Sequence, residues 1–441
     1  MKVSQLSFLS LVAAMWLAAG PVFAQLTLGA SASASTDEGV SGSADADAQS
    51  DADDATVPEP DPVPIAAPAP NPEPVADTTL DEPNVETLGG EGVAGWDKGF
   101  YIQTPDKNFK LKINSCLKTR FAYYNDEVQV IGDDGSPGTN HINHAAFGLP
   151  YWRLAFSGNV FSPRLTYSVM YDFAVGTLPE ATVDWAFIPE KLHLSVGVFK
   201  RPFDRDYINS TAANNFIFNS IGAMGGGADV GIMISNDYTR VKGIEWAFGV
   251  FNFSEGDNAP NALFDDFAPS LVGRFGYNNG VNGYQASDFD GGPFRFGVGV
   301  SAATEFDHDD DDITSHFIGV DAIFKVHGLS ISAAVFFEAI AEEAIFDGPE
   351  FNRIGTYIKA GYLIKKRLEP VLRYSLVDNH QFDEDLSQEI TAGLNWYIFG
   401  QNLKWENNFS LYLDRRDTTA INPDPETLHH ILFASQLQFG F

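Results

Sequence analysis

The sequence predicts an all-β chain that crosses a membrane as an antiparallel β-barrel of about sixteen strands, behind a disordered, acidic, proline-rich segment. Three observations predict it. Sixteen segments alternate apolar and polar residues with period 2. Short and long connections between them alternate along the chain. The last segment ends in "FASQLQFGF", which puts Phe433, Leu437, Phe439 and Phe441 on one face.

Taken in order, the first element is a short basic start at Lys2, an apolar run from Phe8 to Ala19 and the small-x-small site Val22-Phe23-Ala24. Residues 1–24 read as a secretory signal peptide. No other stretch offers 18 consecutive apolar residues, so no helical anchor is predicted. Cys116 is the single cysteine, which excludes an intramolecular disulfide.

Residues 25–95 are built of Ala, Ser, Asp, Glu and Pro, with 15 acids and no Lys or Arg. Such a segment buries too little apolar area to offset chain entropy and is expected to be disordered. Two uses for it stand side by side: a solvated periplasmic spacer, or a tether docking a periplasmic or cell-wall partner. The remaining chain carries 26 basic and 44 acidic residues, about −18 of the formal −32. Neither part has the basic surface that nucleic-acid binding requires.

The folded part, residues 96–441, holds the candidate strands: 108–124, 150–160, 164–174, 180–188, 191–199, 229–236, 242–252 and 270–277, then 293–303, 312–325, 328–340, 354–364, 367–377, 386–398, 401–414 and 429–441. Connections around 161–163, 189–190, 237–241, 326–327, 365–366 and 399–400 are short. Those at 125–149, 200–228, 253–269, 341–353 and 415–428 are long. The connection 278–292 is too long for the short-turn side on which it falls.

A closed sheet satisfies every backbone group without water, which is the condition for crossing a bilayer. If the apolar parity faces lipid, the polar parity faces the lumen. Lipid exposure of a Lys or Arg near mid-membrane costs roughly 2–4 kcal/mol, which drives such residues inward. Twelve basic residues share the lumen parity: Lys110, Lys112, Lys118, Arg120, Arg153, Arg164, Lys191, Arg274, Arg295, Lys359, Arg373 and Lys404. Eight acids share it: Asp172, Asp184, Glu245, Asp321, Glu338, Glu369, Glu389 and Glu406. Trp152, Trp185, Trp246, Trp396 and Trp405 take the lipid parity, where amphipathic rings form interfacial girdles. Tyr124, Tyr357, Tyr397 and Tyr412 take the lumen parity.

The order of motifs "GFYIQTPDKNFKLKINSCLKTRFAYY", "VGVFKRPF", "YIKAGYLI", "LRYSLVD" and "SQLQFGF", from about residue 99 to the end, resembles the phosphate-selective porin O and P family. "VGVFKRPF" and "LRYSLVD" are the most specific pieces; the acidic segment has no counterpart. The resemblance implies a sixteen-stranded, homotrimeric outer-membrane porin. Its long third loop, here 200–228 with Lys200, Arg201 and Arg205, would fold into the lumen and narrow it.

The function expected is passive diffusion of small solutes through a water-filled channel, leaning to anions and extending to phosphate. The anion-binding, pore-lining set would be Lys110, Lys112, Lys118, Arg120, Arg153, Arg201, Arg205, Arg274, Arg295, Lys359 and Arg373. The alternative is an outer-membrane anchor for the acidic tail. Outer-membrane lipid and small anionic solutes are the partners expected, with no nucleic acid and no cofactor.

Chemistry is not expected. No G-x-S-x-G elbow occurs. "EFDHDDDDIT", from Glu305, lacks the central Gly and late Glu of a calcium loop and reads as a solvated acidic loop. His429 and His430 are adjacent, so in a strand they face opposite ways, and no metal site is assigned.

Overall fold

The computed structural model describes residues 86–88, 92–131, 137–252, 269–281, 283–306, 313–342, 351–378, 386–416 and 427–441. The signal peptide, the acidic Glu305 loop beyond residue 306 and almost all of the segment 25–95 lie outside the described residues. Three short strands come first: β1 (Glu86–Leu88), β2 (Gly92–Trp96) and β3 (Phe100–Gln103). The sheet thus begins slightly before the boundary at residue 96 that composition suggested.

Next come β4 (Lys110–Ile131), β5 (Pro137–Asn159), β6 (Leu165–Asp172), β7 (Thr177–Ile188) and β8 (Leu192–Lys200). A four-residue helix, α1 (Arg205–Ile208), is followed by β9 (Ala228–Ser235), β10 (Gly243–Asn252), β11 (Pro269–Asn279) and β12 (Arg295–Glu305). The chain continues through β13 (Ile313–Val326), β14 (Leu329–Glu342), β15 (Phe351–Tyr362) and β16 (Leu368–Asp378). It finishes with β17 (Leu386–Phe399), β18 (Leu403–Arg416) and β19 (Thr427–Gly440).

From β4 onward each strand pairs antiparallel with the next. β19 returns to β4, from His430 opposite Asp126 to Gly440 opposite Cys116. The result is a closed sixteen-stranded barrel. The terminal Phe441 continues the seam: its N–H donates to the Ser115 carbonyl at 3.1 Å, and its own carbonyl accepts from Ser115 N at 3.0 Å. β3 extends the same edge of β4, pairing Phe100 with Ile113 through Gln103 with Lys110.

The two faces of the wall invert the arrangement of a water-soluble sheet. On β16, Leu372 and Tyr374 are exposed while Glu369, Arg373 and Ser375 are buried; on β17, Ile390, Leu394 and Trp396 are exposed while Glu389, Thr391 and Asn395 are buried. An apolar exterior around a polar interior is stable when the exterior meets lipid. Trp152, Trp185, Trp396 and Trp405 lie on the exposed face.

Connections on the short-turn rim are tight enough to place Glu190, Asp237 and His327 at φ 59°, 59° and 47°. The sequence reading differs from the structure at 125–149, expected as a loop. Most of it is strand, because β4 and β5 continue as a hairpin beyond the point where β19 stops. Cross-strand pairs at its base join β4 to β5: Tyr123 Oη donates to Asn143 Oδ1 at 2.7 Å, and the Tyr124 ring stacks on His144. It has no apolar parity, so the pattern that identifies a wall strand is absent there.

The apolar core sits inside the barrel. Phe203, Ala223 and Met224 of the connection between β8 and β9 pack with Phe251, Val272, Phe317, Phe336, Tyr357 and Val377 of the wall.

Candidate functional site: a lumen filled from both rims

The connection 201–227, hereafter the inward loop, enters the lumen because the wall supplies partners for its backbone. Lys118 Nζ donates to the Thr211 carbonyl at 2.8 Å, Lys404 Nζ to Asn214 O at 2.6 Å and Asn395 Nδ2 to Asn215 O at 2.8 Å. Ile217 N donates to Asn408 Oδ1 at 2.7 Å, and Arg373 Nη1 donates to Phe218 O at 2.8 Å. Buried loop backbone without such partners would be costly. Gly222 makes the closest approach, since a Cβ there would stand 2.2 Å from the Thr356 carbonyl and 2.4 Å from that of Leu376.

Around α1 the attachment is ionic. Arg201 Nη1 donates to Glu305 Oε1 at 3.1 Å, and Arg205 Nε donates to Asp321 Oδ1 at 2.8 Å. Lys359 pairs with Asp206, and Tyr357 Oη donates to Asp204 Oδ1 at 2.9 Å. Burial first, then the neighbouring Asp206, raises the Asp204 carboxyl well above the usual carboxylate range. Asp204 also caps α1 by accepting from Asp206 N at 3.1 Å.

From the opposite rim a second segment turns inward. Between β11 and β12 the chain runs from Gly280 to Phe294, and Tyr284, Ala286, Ser287 and Asp288 are buried. Gly280, Gly283 and Gly291, at φ +78°, +54° and +63°, allow the reversals that bring it back. Lys325 Nζ donates to Ser287 O at 2.9 Å, and Ser287 Oγ donates to Glu369 Oε2 at 3.0 Å. Arg295 holds Asp288 at 2.6 Å and Asp290 at 2.9 Å. Tyr284 accepts from Arg274 Nε and donates to Glu245 Oε2, both at 3.0 Å. Burial pushes the Tyr284 hydroxyl up to about 12 against the pull of Arg274 and Arg205, so it stays a neutral donor.

A family model for Phosphate-selective porin O and P matches residues 130–441, most of the barrel just described. The chain belongs to that porin family. It is therefore a channel protein of the outer membrane. Among solved structures the porin resembles the anion-selective porin from Comamonas acidovorans, with a TM-score of 0.50, 14% identity, and 75% of this chain and 99% of that one covered. It also resembles the outer membrane channel DcaP of Acinetobacter baumannii, with a TM-score of 0.51, 11% identity, and 76% and 99% covered. At these identities the likeness is one of fold. An uncharacterized protein of Aquifex aeolicus is 32% identical over 103 residues, a match spanning 22% of this chain and 23% of that relative.

One cavity, of about 590 Å³, opens against the β4–β9 arc. Lys110, Lys112, Ser157, Asn159, Thr166, Ser168, Glu180, Thr182, Asp184, Asp237 and Arg240 line it. Asp184 is held in place by His193 Nδ1 at 2.8 Å and Ser195 Oγ at 2.7 Å. Lys110 has no carboxylate partner among the described residues and lies 4.8 Å from the Tyr101 ring centroid; Lys112 stands 3.6 Å from the exposed Asp97.

The other basic residues singled out from the sequence are engaged elsewhere. Arg153 pairs with Asp172 at 2.7 Å and donates to Thr211 Oγ1 at 3.0 Å. Arg120 donates to Gln436 Oε1 at 3.0 and 2.9 Å and lies over the Phe218 ring. Arg274 binds both oxygens of Asp321, at 2.6 and 2.9 Å, and Arg373 pairs with Glu389. Arg164 and Lys191 are exposed at turns. Lumen parity does not distinguish a cation facing solute from one holding a loop; the partner decides, and parity carries no information about it. Tyr284, Ser287 and Asp288 escaped the sequence reading, although the surplus length of their connection was the available signal.

Proposed function

We propose that this porin passes small solutes by passive diffusion with a preference for anions, and that Lys110 supplies the preference. The observation that carries the reading is the contrast in ion pairing. Eight of the other basic residues proposed for the pore, Lys112, Arg153, Arg201, Arg205, Arg274, Arg295, Lys359 and Arg373, each contact a carboxylate within 4.0 Å, whereas Lys110 faces the open cavity unpaired among the described residues. A compensated charge adds little to the field in the lumen, and an uncompensated one raises the local anion concentration.

The reading is a general anion preference in place of a phosphate-specific site. Phosphate recognition draws on several basic groups free to converge on one anion, and here most guanidinium groups are held by carboxylates. A homotrimer in outer-membrane lipid is the assembly proposed with it, carried over from the family resemblance. The test is the zero-current potential of the refolded protein in a planar bilayer across a KCl gradient. A chloride-selective potential supports the reading. A cation-selective one overturns it and assigns the field to Glu180, Asp184 and Asp237.

A further inference from the structure

We infer that the inner turn, residues 280–294, is a second constriction element, and that Tyr284 joins it to the inward loop so that solutes cross only along the β4–β9 arc. The inference rests on the channel reading above and adds what sets the path and the size limit.

Three independent features carry it. The first is position. The turn enters from the rim where the other connections are short, and it reaches far enough for Tyr284, Ser287 and Asp288 to be buried within the barrel.

The second is contact between the two inserted segments. Arg205 of the inward loop places its guanidinium carbon 4.3 Å from the Tyr284 ring centroid. The Tyr284 hydroxyl is meanwhile held on the wall side by Arg274 and Glu245. Tyr284 thus lies between loop and wall, touching both. The Nη1 and Nη2 atoms of Arg205 are buried without a hydrogen-bond partner, with Nη2 3.9 Å from Glu245, so the ring face is a main contact of the inner guanidinium atoms.

The third is where this cavity lies. Every residue lining the cavity falls between Lys110 and Arg240; none comes from β11–β19 or from the turn itself. Beside β11–β19 both inserted segments are tied to the wall, the inward loop through Arg373, Asn395, Lys404 and Asn408 and the turn through Lys325 and Glu369. Loop and turn act as one partition with Tyr284 at its joint.

The experiment replaces residues 281–294 with Asn-Gly. Because Asn279 pairs with Phe296, the next facing residues, Gly280 and Arg295, would flank a two-residue hairpin turn. Single-channel conductance in KCl and the size cut-off for polyethylene glycols entering the pore are measured on refolded protein whose barrel is verified by heat-modifiable migration. The expected result is at least a two-fold rise in conductance and entry of larger polymers. Tyr284→Ala, which keeps the turn but removes its contact with Arg205, is expected to give a smaller rise with more frequent current fluctuations. Tyr284→Phe, which keeps the ring, should stay closer to the parent.

If the shortened barrel conducts as the parent does with the same size cut-off, the inference falls while the channel reading stands. If the shortened chain does not assemble, Tyr284→Ala decides: unchanged conductance and noise overturn the inference. A parent protein that does not conduct at all would instead overturn the channel reading.

Discussion

Arg205 on the inward loop and Asp321 on β13 meet at 2.8 Å inside the barrel, and the same carboxylate accepts two further bonds from Arg274 at 2.6 and 2.9 Å. One buried anion thus holds two guanidinium groups, one from the loop and one from the wall. β12 runs between Arg274 and Asp321. Gly299 on that strand pairs with Asp321 and leaves the space through which Arg274 reaches it.

Removing that anion leaves two buried cations short of their shared partner. Asp321→Asn is expected to destabilise the barrel by roughly 3–5 kcal/mol, the usual cost of breaking a buried pair from one side. The urea midpoint of protein refolded in liposomes measures it. A loss below about 1 kcal/mol would show that Glu245 and Tyr284 suffice to hold both arginines.

The separation of free from engaged cations makes a paired prediction. Lys110→Gln should move the zero-current potential toward cations and leave stability almost unchanged. Arg373→Gln should do the reverse, since Arg373 is paired with Glu389 and bound to Phe218 O of the inward loop. Measuring both quantities on both proteins checks the assignment, and a large selectivity shift from Arg373→Gln would count against it.

How far these relationships were legible in the sequence follows from what each depends on. The sixteen wall strands were legible because lipid on one side and lumen on the other impose period 2, as Ile390, Leu394 and Trp396 against Glu389, Thr391 and Asn395 show. The β4–β5 extension was not, because residues such as Asn140, Asn143 and His144 break the apolar–polar alternation that marks a wall strand. The inward course of 201–227 came from family resemblance. For 280–294 only the length was a sign, because its attachments, such as Ser287 to Glu369, join positions 82 residues apart. The carboxylate partners of the candidate pore cations were not legible, because they lie on other strands or loops and are fixed by barrel register alone.

The groove at Gly299 predicts a steric effect. A Cβ there would stand 2.2 Å from Arg274 Nη2, so Gly299→Val must displace the guanidinium from Asp321. A cost of about 1–3 kcal/mol is expected from overpacking. Gly148→Ala is the control, because a Cβ at Gly148 meets nothing within 4 Å. Thermal unfolding of the two proteins side by side should separate them clearly, and equal melting temperatures would mean that Arg274 has another route to Asp321.

The lipid face makes the last prediction, and it depends on depth as well as parity. Leu372 is 57% exposed at the middle of β16, next to the buried Arg373, so one position separates lipid from lumen. Leu372→Arg would set a cation against hydrocarbon at a cost of roughly 2–4 kcal/mol, whereas Leu386→Arg, at the end of β17, should cost about 0–1 kcal/mol because the side chain reaches the interface. Folding free energies in liposomes of defined thickness measure both. If the two substitutions cost the same in a bilayer and the difference does not grow with lipid chain length, the exposed apolar face of β16 does not lie at the bilayer centre. The depth assigned to the barrel would then have to move along its axis.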